Sequence, residues 1–282
     1  MLANVCSLLP KIDHVRATIS RTDSDIFVAT ESWLHEGITD NLLHLPNRTL
    51  YRDDRLDRRG GGVCLWISQH IPSTQITVAS PKCINSLWFA LHDAKIILVC
   101  VYLPPSSVQC STPVIVEFLI SHCDVALSSY PNYDIVLCGD LNRLPMKEVS
   151  SNLDIVYLVR EPTRGDVTLD HFFVSSNIAC AYNVSVTAPI SNSDHCSVHA
   201  LPIQSSLKNG QFYSTHADLR RHRLDDLVRM LDINWSYFYL SDVNVDQKCE
   251  IFHEFLNHCF DTCVPQFKVL MSSSDTLDHS VC

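Results

Sequence analysis

The chain has 282 residues, 46% of them hydrophobic and 18% charged, with a formal net charge of −10. That is room for one α/β domain of about 200 residues plus an appendage, and it excludes the basic footprint of a tight non-specific nucleic-acid binder. No apolar run approaches the roughly 20 residues a membrane helix needs, and the start lacks the basic-then-apolar layout of a secretory signal, so an intracellular protein, nuclear or cytoplasmic, is expected, neither secreted nor embedded in a membrane.

Along the chain, the first predicted element is a helix over 8–20, where Leu8, Leu9, Ile12, Val15 and Ile19 fall on one face. Short apolar runs mark strands at 26–29, 62–67, 86–91, 96–102 and 134–138, with a second helix over 113–128. Further strands are expected at 171–174, 184–187 and 196–201. Runs this apolar are covered on both faces or nearly so, and strands broken by helices suggest a layered α/β sandwich. After Pro202 the texture changes. A polar linker over 204–210 precedes two helical stretches, and in the second Cys249, Phe252, Leu256, Cys259, Phe260 and Cys263 share a face. The segment from Ser272 reads as disordered. Two domains are therefore expected, 1–204 and 205–282. Thirteen cysteines without a Cys-x-x-Cys pair read as mostly buried free thiols of a reducing compartment.

The chemistry begins where the run Ile135-Val136-Leu137-Cys138 ends in Gly139-Asp140-Leu141-Asn142; fifty-one residues after Asn142 comes Ser193-Asp194-His195. Side chains two apart on an extended chain point the same way, so Asp140 and Asn142 can address one ligand. An acid, an amide and an imidazole together suit metal-assisted attack on a phosphate ester. Glu31 closes the apolar run 26–29, where a hard divalent cation would find its oxygens. The net negative charge is compatible with such a site, because a bound cation offsets clustered carboxylates. An imidazole such as His195 switches charge near neutral pH. Tyr102, before Pro104-Pro105, reads either as a core tyrosine or as a hydroxyl aimed at phosphate.

These residues stand in a recognisable order. Asn4 lies in Asn-Val-Cys-Ser-Leu-Leu-Pro-Lys, Glu31 in Thr-Glu-Ser-Trp-Leu, and an Arg-Arg-Gly-Gly-Gly-Val-Cys turn follows. Next come Tyr102 in Val-Tyr-Leu-Pro-Pro, then Asp140 and Asn142, then Thr163 and Asp170 in Pro-Thr-Arg-Gly-Asp-Val-Thr-Leu-Asp-His-Phe-Phe, and finally Ser193-Asp194-His195. The ordered set resembles the endonuclease/exonuclease/phosphatase superfamily, and within it the apurinic-type endonuclease domain of LINE-class (non-LTR) retrotransposons. The tail resembles the connector these elements place before a reverse transcriptase, a domain absent from this chain.

The resemblance implies an α/β fold, a four-layer sandwich of two packed mixed β-sheets with helices outside, plus a helical C-terminal tail. It implies Mg²⁺, with Mn²⁺ as the alternative, held by Glu31 with Asn4 and Asp194. His195 would stabilise the phosphoryl transition state or move a proton, with Asp170 orienting it and Asp194 beside it in the catalytic set. Asp140 would position or deprotonate the attacking water. Asn142 and Tyr102 would contact that water or the phosphate, and Asn4, Thr163 (with Thr168 as its alternative) and Ser193 would line the substrate. The implied reaction is hydrolysis of a DNA phosphodiester that leaves a 3′-hydroxyl to prime reverse transcription. DNA and a reverse transcriptase are the implied partners; the sequence carries no signal for an oligomeric state.

Other features have plainer readings. Arg52, Arg55, Arg58 and Arg59 could touch DNA backbone, but Asp53, Asp54 and Asp57 beside them suggest a solvated mixed-charge loop. Thirteen histidines, His171 among them, read as structural. Cys249, Cys259 and Cys263 with His253 and His258 fit no standard zinc finger. Only Met1-Leu2-Ala3 precede Asn4, so a short first strand is expected to loosen Asn4 and expose a sheet edge. Cys6 stands where some superfamily members carry a metal-holding aspartate. The competing functions are a phosphoesterase of the same fold acting on a small ester, and a catalytically inactive relic.

Overall fold

Period-two alternation of apolar residues builds the first of the two units into which the chain divides, Met1–Gln204 and Ser205–Cys282. The computed structural model describes residues 1–55, 60–105, 111–203, 212–217, 221–240, 244–264 and 266–271. In the first unit the order is β1 (Leu2–Asn4), α1 (Ile12–Thr22), β2 (Ile26–Thr30), β3 (Arg48–Asp53), β4 (Val63–Ser68), β5 (Ser73–Ile76), β6 (Asn85–Leu91) and β7 (Ile96–Tyr102). Then follow α2 (Thr112–Ser129), β8 (Asp134–Asp140), α3 (Lys147–Leu153), β9 (Ile155–Tyr157), β10 (Asp170–Ser175), β11 (Tyr182–Thr187) and β12 (Ser197–Pro202).

One sheet runs β11-β12-β1-β2-β4-β3, the other β5-β6-β7-β8-β10-β9. Both are mixed: β1 pairs parallel with β2, and β7 with β8, while the remaining pairs are antiparallel. Strand β7 shows how the layers arise. Ile97, Val99 and Val101 point under α2, whereas Ile96, Leu98, Cys100 and Tyr102 point between the sheets. A third core packs Ile12, Val15 and Ile19 of α1 on Phe27, Ala29 and Trp66. Three cores separate four layers, which is the α/β sandwich the sequence implied. Each large side chain so buried stabilises the fold by about 1.5–3 kcal/mol.

The short first strand behaves differently from expectation. β1 sits inside its sheet, between β12 and β2, with Leu2 opposite both Val198 and Val28. Asn4 is fully enclosed, 1% exposed, so it is not loosened and no edge opens there. The cysteines need one correction too: Cys83 is disulfide-bonded, while ten other described cysteines are free thiols.

The second unit holds β13 (Phe212–Ala217), α4 (Arg221–Leu231), α5 (Ser236–Tyr239), α6 (Val245–Cys263) and β14 (Gln266–Met271), with β13 and β14 paired antiparallel. Asn244 and Gln247 form a reciprocal capping box that starts α6. Its buried face is Cys259 and Cys263 with Phe255, against Leu227 and Met230. Cys249, Phe252 and Phe260 are exposed, so the expected apolar face is rotated toward Phe255. The predicted linker over 204–210 and the disorder expected from Ser272 lie outside the described residues. No helix among the described residues is long and apolar enough to cross a membrane.

Candidate functional site

Register assembles the site before any side chain is considered. In the second sheet Tyr102 on β7 stands opposite Asp140 on β8, and Asp140 stands opposite Asp170 on β10. Alternation turns all three toward the space between the sheets, at the strand ends. From the facing sheet, Asn4 closes the gap: its Nδ2 donates to Asp140 Oδ2 at 2.8 Å. Gly139 permits the close approach of β8 to β7. Its φ is +145°, and a Cβ there would lie 1.8 Å from the Val101 carbonyl oxygen, so only glycine fits.

Asp140 is 1% exposed and accepts the Asn142 amide at Oδ1, 3.1 Å. Burial pushes its pKa up to about 7, the negative charge of Asp170 adds to that, and His195, Asn4 and the Asn142 amide pull it down. Asn142 adopts a left-handed φ of 51°, its Nδ2 donating to Leu103 O at 2.6 Å. His195 is buried, with Nδ1 on Asp170 Oδ2 at 2.7 Å. Since the carboxylate accepts, Nδ1 carries the hydrogen and Nε2 is the nitrogen left for other work. Burial opposes charge on His195, but the Asp170 hydrogen bond and the charges of Asp170, Asp140 and Asp194 outweigh it and raise its pKa.

Glu31 follows β2 in a left-handed conformation, as do Cys6, Ser7 and Trp33 in the loops around it. Residues of this kind held left-handed cluster where function requires it. The two loops are zipped together by Ser7 N to Glu31 O at 2.9 Å and Leu8 N to Ser32 O at 2.9 Å. Glu31 Oε1 accepts from Tyr102 Oη at 3.2 Å and Oε2 from Trp33 Nε1 at 3.4 Å. Burial first, then the charges of Glu31 and Asp140, raise the Tyr102 pKa, so the phenol stays a neutral donor. The glycine turn packs against this loop, with Trp33 N donating to Gly61 O at 2.9 Å. A Cβ on Gly62 would meet Ser32 Oγ at 2.5 Å.

Three expected site residues already have partners within the protein. Thr163 is completely buried, and its hydroxyl accepts the Leu169 and Asp170 amides at 3.0 and 3.1 Å; it shapes the turn that delivers Asp170. Ser193 donates to Asn4 O at 2.6 Å and accepts the His195 amide at 3.3 Å, so it too holds other site residues. Asp194 is half exposed and paired with Arg164 Nη2 at 2.5 Å. Among the described residues, one group of three His, Cys, Asp or Glu side chains stands close enough to hold an ion jointly: Asp140, Asp170 and His195, one ligand atom of each within 4.8 Å. Glu31 and Asp194 lie outside that group, as do the tail cysteines and histidines. Apart from the imidazole, the site's donors are oxygens, and Asp170 Oδ1 is buried without a hydrogen-bond partner. That donor chemistry fits a hard divalent cation.

The sequence reading passed over Lys11, which is buried and donates from Nζ to Val5 O at 2.6 Å and Cys6 O at 3.0 Å, pinning the turn after Asn4. Its one signal was a lysine amid an otherwise apolar stretch. Arg52 is committed internally, to Asp54, Asp40 and the carbonyls of His35 and Ile38, which supports the mixed-charge-loop reading. Asp57, Arg58 and Arg59 lie outside the described residues. At the opposite end of the strands an apolar cavity of about 360 Å³, lined by Leu2, Val28, Leu98 and Val136 among others, contains none of these groups.

The model of the Endonuclease/Exonuclease/phosphatase family matches residues 1–195. Among solved structures, the chain is similar to the AP endonuclease LMAP from Leishmania major, with a TM-score of 0.55 and 16% identity over 70% of this chain and 85% of that one. It is similar also to a 3′–5′ exonuclease from Neisseria meningitidis, with a TM-score of 0.54 and 14% identity over 71% and 98% of the two chains. A third is the endonuclease domain of TRAS1, a telomere-specific non-LTR retrotransposon, with a TM-score of 0.54 and 12% identity over 70% and 94%. At such identities the likeness is one of fold. No curated protein matches the chain by sequence.

Proposed function

The chain belongs to the Endonuclease/Exonuclease/phosphatase family, and from that premise we propose that it is a divalent-metal-dependent endonuclease hydrolysing DNA phosphodiester bonds. The observation that carries this reading is the bridge between the sheets, Asn4 to Asp140, set beside the Asp170–His195 pair. A carboxylate whose pKa lies near 7 can accept a proton from water at neutral pH, and a histidine whose pKa is raised can be cationic at the same pH.

In the proposed reaction Asp140 takes a proton from the attacking water while Asn142 orients it. The water oxygen bonds to phosphorus, the bond to the 3′ oxygen breaks, and the departing 3′ oxygen takes its proton from solvent. His195, held by Asp170, places positive charge on the phosphate oxygens, and the Tyr102 hydroxyl donates to the same group. The products are a 5′-phosphate and a 3′-hydroxyl. Glu31, with Asn4 and Asp194, would hold the cation, Mg²⁺ or alternatively Mn²⁺, which when bound supplies further charge neutralisation at phosphate. The choice of DNA over a small phosphate ester is supported by the fold shared with the TRAS1 endonuclease domain and by the ordered motifs from Asn4 to His195.

Nicking of supercoiled plasmid with Mg²⁺, beside EDTA and the His195→Ala and Asp140→Asn variants, tests the reading. Metal-dependent nicking lost in both variants, by about 10²-fold or more, is the expected result. A folded wild type that leaves plasmid intact but releases phosphate from small esters would overturn the choice of DNA. Inertness toward both would leave the inactive relic.

A further inference from the structure

Asp170 and His171 are consecutive on β10, so the strand turns them to opposite faces. Asp170 faces the site and orients His195. His171 faces the other way, its ring stacked on Phe173 (centroids 6.0 Å apart, 21° between planes) and 5.4 Å from the Tyr157 ring. Its one polar contact among the described residues is Nε2 to the Asn142 carbonyl oxygen, 3.1 Å. A carbonyl only accepts, so Nε2 carries the hydrogen and Nδ1 holds a lone pair. Nδ1 is buried and unpartnered, which agrees with that tautomer: an unmet lone pair there spares the ring an unmet N–H.

Asn142 sits at a left-handed φ of 51°, a conformation that costs a non-glycine residue roughly 1 kcal/mol or more unless its surroundings hold it. Three bonds surround it. Its amide reaches Asp140, its carboxamide reaches Leu103 O, and its carbonyl receives His171. The first two involve the site itself. The third comes from outside, from a ring packed against Phe173 and Tyr157.

We propose that His171 is a positioning residue for Asn142, its Nε2–H fixing the left-handed turn so that the carboxamide meets the reacting phosphate or its water. The proposal rests on the nuclease reading of Asn142. It makes one dipeptide of β10 responsible for two functional groups of the same site, each supported from an opposite face of the strand.

Two variants and one spectrum test it. His171→Phe keeps the stacked ring and deletes the donor; His171→Gln keeps a donor and deletes the ring. With supercoiled plasmid and Mg²⁺, His171→Phe should lose kcat by about 10- to 100-fold, the usual cost of removing a group that orients a site residue, with KM and melting temperature near wild type. His171→Gln should recover most of that loss despite poorer packing. Wild-type kcat in His171→Phe, or His171→Gln falling as far as His171→Phe, would overturn the proposal. Long-range ¹H–¹⁵N correlation on the wild-type chain is independent of both activity and variant folding. It should report the neutral Nε2–H tautomer at His171, and an Nδ1–H tautomer sinks the idea. A wild type that does not nick at all counts against the nuclease reading, and the tautomer then decides the fate of His171 alone.

Discussion

Asn4 and Asp140, 136 residues apart in sequence, tie the two sheets together at 2.8 Å, amide to carboxylate. Both are buried, so neither can turn to water if the other is removed. Asn4→Leu should therefore destabilise the protein by about 1.5–3 kcal/mol, the range for a hydrogen bond to a charged group. The same change deletes one of the contacts that restrain the Asp140 pKa, so the pH at which nicking switches on should move upward. Thermal melts and a pH–rate profile at saturating metal on one preparation check both, and an unmoved profile would mean that this bond does not set the Asp140 pKa.

The pH dependence has a definite sign. Asp140 must lose its proton to act as base, so nicking should rise with pH through about 7. His195 must keep its proton to carry charge, so nicking should fall again above its raised pKa, giving a bell. For stability these two groups act in one direction. Both groups bind protons more tightly in the folded chain, so their contribution is fully present below the unfolded values and is lost as pH rises through the folded ones. His171 and His199, whose pKa values burial lowers, act in the opposite direction, so the measure is the difference between wild type and Asp140→Asn in EDTA: wild type should lose melting temperature relative to the variant as pH rises from about 5 to 7. A difference that stays constant over this interval would contradict the raised pKa of Asp140.

Arg164 competes for a proposed metal ligand. Its ion pair with Asp194 is half exposed on both sides, worth at most about 1 kcal/mol, so Arg164→Ala should leave the fold nearly untouched. Freed from the guanidinium, Asp194 should bind cation more readily, and Mn²⁺ affinity measured by electron paramagnetic resonance should tighten. Unchanged affinity would remove Asp194 from the ligand set and leave Glu31 with Asn4.

Gly139→Ala is expected to be structurally severe. The added methyl would sit 1.8 Å from a backbone oxygen of β7, and backbone cannot rotate away as a side chain can. A loss of about 3 kcal/mol or more is expected from such overpacking with strain, with urea melts as the measure. Near-wild-type stability would show that β7 and β8 can separate at their ends without penalty.

The central strands were legible because they are buried on both faces and read as unbroken apolar runs: β7 was expected at 96–102 and lies at Ile96–Tyr102. The strands that escaped notice are mostly peripheral. β3, β5 and β9 stand at or beside sheet edges, where β3 carries Arg48, Thr49 and Arg52 and β5 is largely solvent-facing. A strand half in water needs no apolar run, so none appeared. β1, three residues long, is too short for any period to show and was expected only from the resemblance. Helix α3 buries only Val149 and Leu153.

The residues of the candidate site divide along a similar line. That an apolar run delivers Asp140 at its end, and that consecutive residues such as Asp170 and His171 face apart on a strand, are consequences of local chain geometry, and the sequence alone determines them; Asn142 instead lies past the end of β8 in a left-handed turn, and the approach that demands Gly139 is set by packing against β7. Whether a polar side chain meets substrate or backbone depends on who its neighbours are across the sandwich. Thr163 and Ser193, expected to line the substrate, are bonded to backbone amides and a carbonyl of the protein. Asp194, an expected metal ligand, is met by Arg164. The His171 ring met a carbonyl 29 residues away. Such partners are brought in by register and layer packing between segments distant in sequence, and a hydrogen bond needs its partner within about 3 Å, a precision that only the packed tertiary structure provides.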